Sequence, residues 1–123
     1  MITVLPLENK DELMKLYSDC KIEFSDNCAA AVAKQKDETL GFCLFSLDDE
    51  SITVLHIEPT DDIMLADGIL RSALHIAVER GRNKAFWNGE NLEELFKKLD
   101  FIKDEEKHSL KIEKLFESCC CGH

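Results

Sequence analysis

The sequence predicts an α+β fold (α/β in the broader sense) in which helices flank a mixed, mostly antiparallel central sheet. The first observation is a long amphipathic pattern from Glu58 to Gly81, which lies between two apolar segments. Strand, turn, helix, glycine and strand make a β-α-β unit, whose strands usually pair in parallel. The second observation is a run of three short apolar segments before this unit, separated by charged bends, which predicts a meander. Strands grouped around one long helix are typical of the α+β class.

The central helix is predicted from the spacing of its apolar residues. They recur every three or four positions and so share one helix face: Ile63, Ala66, Leu70, Ala73, Leu74 and Ala77. The opposite face carries Asp67, Arg71, His75, Glu79 and Arg82. Gly81 follows as a helix stop, because glycine readily adopts the backbone conformation found just beyond a helix end.

The other elements follow from local patterns along the chain. Asn9 is a good N-cap for a helix from Lys10 to Tyr17, and Asn91 for one from Leu92 to Leu99. Strands are expected at Ile2–Leu5, Cys28–Gln35, Gly41–Ser46, Ser51–Ile57 and Ala85–Asn88, with a closing hairpin of Phe101–Ile102 and Leu110–Phe116. The predicted order is β-α-β-β-β-α-β-α-β, with room for one more short strand. Residues 1–117 are expected to form a single domain and residues 118–123 a cysteine-rich tail.

The chain has 123 residues and a formal net charge of −10. Such a negative surface disfavours nucleic acid and anionic membranes, and it suits a small amine or a basic peptide as partner. With no apparent signal peptide or membrane span, the sequence predicts a cytoplasmic protein. Six cysteines in a cytoplasmic chain indicate free thiols, metal binding or redox chemistry, and Cys28 and Cys43 are expected in the core.

Three motifs in the second half resemble the GCN5-related N-acetyltransferase superfamily. The first is Gly68-Ile69-Leu70-Arg71-Ser72-Ala73-Leu74, which is similar to the helix that binds coenzyme A in that superfamily. The second is Phe86-Trp87-Asn88 on the next strand. The third runs from Asn91 through Leu99-Asp100-Phe101, similar to a common ending of the superfamily. The element order agrees with the same fold.

The resemblance implies an acyl-coenzyme A-dependent N-acetyltransferase. In the superfamily, backbone amides at the start of the central helix hold the cofactor pyrophosphate, and a helix N-terminus suits an anion. A backbone N–H near Ile57 or Glu58 would polarise the thioester carbonyl. The cofactor contacts implied for acetyl-CoA are Ile57, Gly68, Ile69, Arg71 and Asn91. His56 or Glu58, on the strand before the helix, would supply the catalytic base.

The sequence departs from the superfamily at the pyrophosphate motif, Arg/Gln-x-x-Gly-x-Gly/Ala. The corresponding segment is Leu65–Leu70, in which only Gly68 matches. Bulky Leu70 replaces a small residue, and Phe96, which has no acidic proton, stands where the superfamily has a tyrosine as general acid.

Carboxylates also lie where the diphosphate would dock, at Asp61, Asp62 and Asp67. Two like charges about 4 Å apart repel by about 4 kcal/mol at an effective dielectric constant of 20. A helix dipole contributes only about 0.3–1 kcal/mol. The aspartates are expected to cap the helix, and Arg71 is the cation placed to compensate them.

The C-terminal tail suggests a different chemistry. Cys119, Cys121 and His123 offer two thiolates and an imidazole to a soft metal such as zinc, and His108 is a fourth candidate ligand. Thiol redox chemistry is the other option for the tail. Two hypotheses follow: an N-acetyltransferase with a weakened or lost cofactor site, or a non-enzymatic domain of the same fold that binds a metal or a partner. A homodimer formed through the closing hairpin suits either hypothesis.

Overall fold

The computed structural model describes residues 2–89 and 92–115. In chain order the elements are β1 (Thr3–Pro6), α1 (Lys10–Asp19), β2 (Cys28–Gln35), β3 (Glu38–Leu47), β4 (Ser51–Glu58), α2 (Ile63–Glu79), β5 (Lys84–Trp87), α3 (Leu92–Leu99), β6 (Ile102–Asp104) and β7 (Ser109–Leu110). The strands form one seven-stranded sheet in the order β1-β2-β3-β4-β5-β7-β6. Only β4 and β5 pair in parallel. The predicted α+β class, with a mixed and mostly antiparallel sheet, is therefore confirmed.

The local signals account for most element boundaries. The Asn9 side chain accepts a hydrogen bond from the Glu12 amide at 3.1 Å, so the predicted cap of α1 is present. Gly81 has a φ of +86° just after α2, which is the conformation expected of a glycine that ends a helix. None of the helices in residues 2–89 and 92–115 is long and apolar enough to cross a membrane.

The closing hairpin is shorter than predicted. The strand expected over Leu110–Phe116 ends at Leu110, and the part of it that the structure describes then turns. The reason is local hydrogen bonding, since the Ile112 amide donates to the Leu110 carbonyl and the Lys114 amide to the Lys111 carbonyl. β7 is therefore short, and it pairs with β5 only through Ser109 and Leu110.

The core has two parts, one on each face of the sheet. The larger part packs α2 and α3 against the sheet, and the smaller part packs α1 against the other face. The α2 stripe differs from the predicted one at two positions. Ile69 is fully buried, whereas Ile63, the first residue of the helix, is only partly buried.

Tyr17 joins α1 to the sheet. Its ring is fully buried, and its hydroxyl lies 2.7 Å from the Ala29 carbonyl oxygen and 2.9 Å from that of Phe45. Burial raises the pKa of this phenol, so it stays protonated and serves packing. Burial likewise raises the pKa of Cys43, which lies in the larger core as predicted.

Candidate functional site

A groove of about 1370 Å³ opens beside the start of α2. Its walls are mainly apolar, and they include the exposed side chain of Met64 and the backbone of Gly68. Among the described residues that line it, the charged ones are Asp61 and Asp62, and there is no lysine or arginine. The groove is therefore both apolar and negatively charged.

The start of α2 is capped by its own chain. Asp62 is the N-cap, and its carboxylate accepts a hydrogen bond from the Leu65 amide at 3.1 Å. The Ala66 amide donates to the Asp62 carbonyl oxygen at 2.9 Å. The Ala66 bond is the first regular bond of the helix, so among the four amides that a helix leaves without an intrahelical partner, the Asp62 side chain bonds that of Leu65. The expected capping by an aspartate is present, at Asp62.

Two of the predicted cofactor residues, Gly68 and Ile69, lie on α2, one beside open space and the other in the core. Gly68 and Ile69 both line the groove, but they lie in the second turn, because the helix begins at Ile63. The Ile69 side chain is fully buried in the core. A Cβ atom added to Gly68 would meet no atom within 4 Å, so there is open space beside it.

Arg71 is engaged away from the two groove aspartates. Its Nε donates to Asp67 at 2.9 Å, one helical turn earlier, and its guanidinium carbon lies 5.2 Å from the centre of the Phe101 ring. The positive charge of Arg71 is therefore neutralised by Asp67. Arg71 is not among the described residues that line the groove.

The two parallel strands separate near Ile57. β4 and β5 pair from Ser51 to Val54, and the Asn88 amide makes one further bond to the Val54 carbonyl oxygen at 2.9 Å. β5 ends at Trp87, whereas β4 continues to Glu58. The β4 backbone around Ile57, where the resemblance places the thioester, thus extends beyond its pairing with β5, while the Ile57 side chain is buried against α2.

A bulge in β4 sets the direction of His56 and Glu58. Leu44 pairs with His56 and Phe45 with Val54, so Leu55 is an extra residue in the ladder. Before the bulge, Val54 points into the core beneath α2. After it, Ile57 does so, and His56 and Glu58 are turned to the α1 face.

Cys20, at the C-terminal end of α1, meets these two side chains. His56 Nε2 lies 3.0 Å from Glu58 Oε2, and Cys20 Sγ lies 4.0 Å from the same oxygen. One ligand atom from each of the three residues lies within 4.8 Å of the other two. Burial raises the pKa of the Cys20 thiol, and the charges of Glu58 and Asp19 add to this shift.

Comparison with solved structures decides the fold. A ribosomal-protein-alanine N-acetyltransferase from Brucella melitensis biovar Abortus 2308 matches with a TM-score of 0.62 and 16% identity, over 85% of this chain and 94% of that one. This chain has the GCN5-related N-acetyltransferase fold. A Bacillus subtilis acetyltransferase in complex with CoA matches at 0.60 and 16%, over 83% and 77% of the two chains. An aminoglycoside acetyltransferase from an uncultured soil metagenomic sample, in complex with sisomicin, matches at 0.56 and 12%, over 81% and 84%. No family model and no curated protein matches the sequence.

Phe96, which the resemblance aligned with a tyrosine of the superfamily, is part of the core. Phe96 is fully buried and packs edge-to-face against Trp87, with ring centres 5.5 Å apart. Asp100 follows α3 with a φ of +57°, a conformation that glycine adopts most easily. The Lys114 ammonium stabilises this helix end by donating to the Leu99 and Asp100 carbonyls.

Several predicted site residues lie outside residues 2–89 and 92–115, which the structure describes. These are Asn91, Cys119, Cys121 and His123. His108 is described, and its ring stacks on Trp87 with ring centres 4.7 Å apart. The assignment of cofactor contacts and of a metal-binding tail therefore stays a prediction. Cys20 is the site residue that sequence reasoning missed, because nothing in its local pattern indicates proximity to β4.

Proposed function

We propose that this chain is a binding domain built on the acetyltransferase fold, in which the usual acyl-CoA pyrophosphate site is lost. The groove beside α2 instead holds a basic, partly apolar segment of a partner protein. One observation carries the proposal. Asp61 and Asp62 are the charged residues among the described lining of a mainly apolar groove.

The same geometry opposes a pyrophosphate. An anion at the start of α2 would approach two carboxylates, and the Leu65 amide is already bonded to the Asp62 side chain. Arg71, the predicted compensating cation, is bonded to Asp67. Because the repulsion between close like charges exceeds the helix-dipole attraction, acyl-CoA is expected to bind weakly or not at all.

A basic segment satisfies both properties of the groove. Lysine and arginine place their charge beside carboxylates while their aliphatic stems cover apolar surface. Met64, 87% exposed at the groove, is a flexible side chain that adapts to such a ligand. The net charge of −10 would also accelerate the approach of a cationic partner.

The test is fluorescence-anisotropy binding of two labelled peptides with alternating leucines, one carrying lysines and one carrying glutamates. The lysine peptide is expected to bind, more weakly as salt rises, and the glutamate peptide is not. Asp61→Asn with Asp62→Asn is expected to weaken binding at least about tenfold, which is about 1.4 kcal/mol. Asparagine at position 62 still caps the helix, so the fold is kept.

Asp26→Asn with Asp49→Asn is the matched control, since it removes two charges from exposed bends at the end of β2 and β3 that lies away from the groove. It is expected to leave lysine-peptide binding within about twofold of the parent chain, a difference of about 0.4 kcal/mol. Equal weakening by both double variants would show a general charge effect and overturn the assignment to the groove.

A second candidate is acyl-CoA-dependent N-acetylation of a small amine or cationic peptide. The observation in its favour is that β5 ends before β4, beside His56 and Glu58, whose side chains lie 3.0 Å apart. The fold neighbour in complex with CoA supports it at the level of the fold. Here His56, with Glu58 as its partner, would accept the amine proton. Release of free CoA thiol from acetyl-CoA in the presence of polyamines would favour this candidate over the first.

The cytoplasmic location stays a prediction. Among the described residues, Cys20, Cys28 and Cys43 are free thiols, which is compatible with a reducing compartment. Zinc or redox chemistry at the tail and dimerisation through the closing hairpin likewise stay predictions.

A further inference from the structure

We propose that Cys20, His56 and Glu58 form a zinc-binding site on the α1 face of the sheet. The site would bind Zn²⁺ through Sγ, an imidazole nitrogen and a carboxylate oxygen. It is separate from the cysteine tail and does not depend on what the groove beside α2 binds.

The distances between the three ligand atoms fit one ion. Zinc–ligand bonds of about 2.0–2.3 Å in a tetrahedral site place nitrogen and oxygen about 3.3 Å apart, and sulfur and oxygen about 3.5 Å apart. The observed separations are 3.0 Å from His56 Nε2 to Glu58 Oε2 and 4.0 Å from Cys20 Sγ to the same oxygen. The third pair, Cys20 Sγ and a His56 ring nitrogen, lies within 4.8 Å, so side-chain shifts of about 1 Å bring the three ligand atoms to one ion.

Local charge also favours a cation. Cys20 is the C-cap of α1, where the helix dipole is negative, and the last turn of α1 contains no basic residue. Asp19 and Glu58 add negative charge beside the sulfur. A mixed set of thiolate, imidazole and carboxylate suits zinc, whereas calcium and magnesium prefer oxygen ligands alone.

The same residue types also occur in cysteine nucleophile sites, but the arrangement here disfavours one. Activation of a thiol needs a neighbouring base or positive charge that favours the thiolate. Here His56 Nε2 lies 3.0 Å from Glu58 and is bonded to it, and the same carboxylate lies 4.0 Å from the Cys20 sulfur, so the nearby base is engaged and a negative charge lies beside the thiol. A divalent cation would remove that repulsion by binding both groups.

Rigid elements hold the ligands, and solvent can reach the site. The bulge at Leu55 fixes the direction of His56, whose ring lies 5.9 Å from that of Phe42. The Glu58 side chain is 54% exposed. Three protein ligands with an accessible fourth position are typical of zinc sites that also bind water or a substrate.

The test is titration of the full chain with Co²⁺ and then Zn²⁺, with Cys119, Cys120 and Cys121 replaced by serine so that tail thiols do not contribute. One equivalent of Co²⁺ is expected to produce a thiolate charge-transfer band and the intense visible bands of a tetrahedral ion. Zn²⁺ is expected to displace Co²⁺ and remove these bands. Cys20→Ser should abolish the charge-transfer band, and His56→Gln should lower the affinity at least about tenfold.

His75→Gln is the matched control. His75 and Glu79 also lie 3.0 Å apart, in an exposed pair on α2 that the described cysteines do not approach. This variant is expected to bind Co²⁺ as the parent does, with circular dichroism confirming the fold of every variant. Absence of a thiolate band in the parent, or an unchanged band and affinity in folded Cys20→Ser or His56→Gln, would overturn the proposal.

Discussion

At the scale of single residues, Leu55 determines which side chains β4 presents to α1. In an uninterrupted strand, residues 52, 54, 56 and 58 share one face, so His56 and Glu58 would point into the α2 core with Val54. The extra residue reverses this alternation, and Ile57 takes the core position instead. The proximity of His56 and Glu58 to Cys20 therefore depends on a one-residue irregularity in the pairing of β3 and β4.

Tyr17 gives a prediction at the same scale. Tyr17→Phe keeps the ring but leaves the Ala29 and Phe45 carbonyl oxygens without their hydroxyl partner. The expected loss of stability is about 0.5–1.5 kcal/mol, the net value of one hydrogen bond, because both carbonyls also lie in the β2–β3 ladder and keep their strand partners. Urea unfolding followed by circular dichroism measures it. Met14→Leu, at an exposed position of the same helix, is the control and should change stability by less than about 0.5 kcal/mol.

At the scale of elements, α2 combines a packed face with a capped start. Its inner face is buried against β3 and β4, and Asp62 closes its first turn. Gly41 of β3 lies close both to the end of β4 and to α2. A Cβ atom at Gly41 would clash with the Glu58 carbonyl oxygen and lie 2.9 Å from Ile69 Cδ1. This glycine therefore permits the close packing of β3, the end of β4 and α2.

Two glycine-to-alanine substitutions test this packing in opposite directions. Gly41→Ala is expected to destabilise the protein by about 1–3 kcal/mol through overpacking. Gly68→Ala should stabilise it by about 0.5–1 kcal/mol, since alanine favours a helix and its methyl group would meet no atom within 4 Å. Thermal unfolding of both variants provides the comparison. A destabilised Gly68→Ala chain would mean that the space beside α2 is not open.

At the scale of the whole molecule, periodicity and turn residues were sufficient to predict the fold. The bounds of β2 match their prediction, and the Asn9 cap and the Gly81 stop are present. These features depend on neighbours in sequence, which explains why they could be predicted. The closing hairpin is shorter than its apolar pattern predicts, because the amides of Ile112, Lys114 and Leu115 bond to nearby carbonyls instead of to a neighbouring strand.

The site was less predictable, because it depends on contacts between distant parts of the chain. Cys20 and Glu58 are 38 positions apart and meet only after α1 packs on the sheet. The bulge at Leu55 appears in the sequence only as a change of alternation, from apolar Ile52 and Val54 to apolar Leu55 and Ile57, which a strand buried on both faces also shows. The acidic character of the turn before α2 could be read directly from Asp61 and Asp62.

The central claim is that the start of α2 no longer accepts an acyl-CoA pyrophosphate. Calorimetric titration of the reduced full chain with acetyl-CoA at low salt tests it most directly, with Asp61→Asn plus Asp62→Asn titrated in parallel. For the parent chain we expect no heat of binding at acetyl-CoA concentrations up to about 1 mM, so its binding free energy would be weaker than about −4 kcal/mol. For the variant we expect at most weak binding. Saturable binding by the parent with a low-micromolar constant, about −8 kcal/mol, would contradict the claim and favour the acetyltransferase candidate.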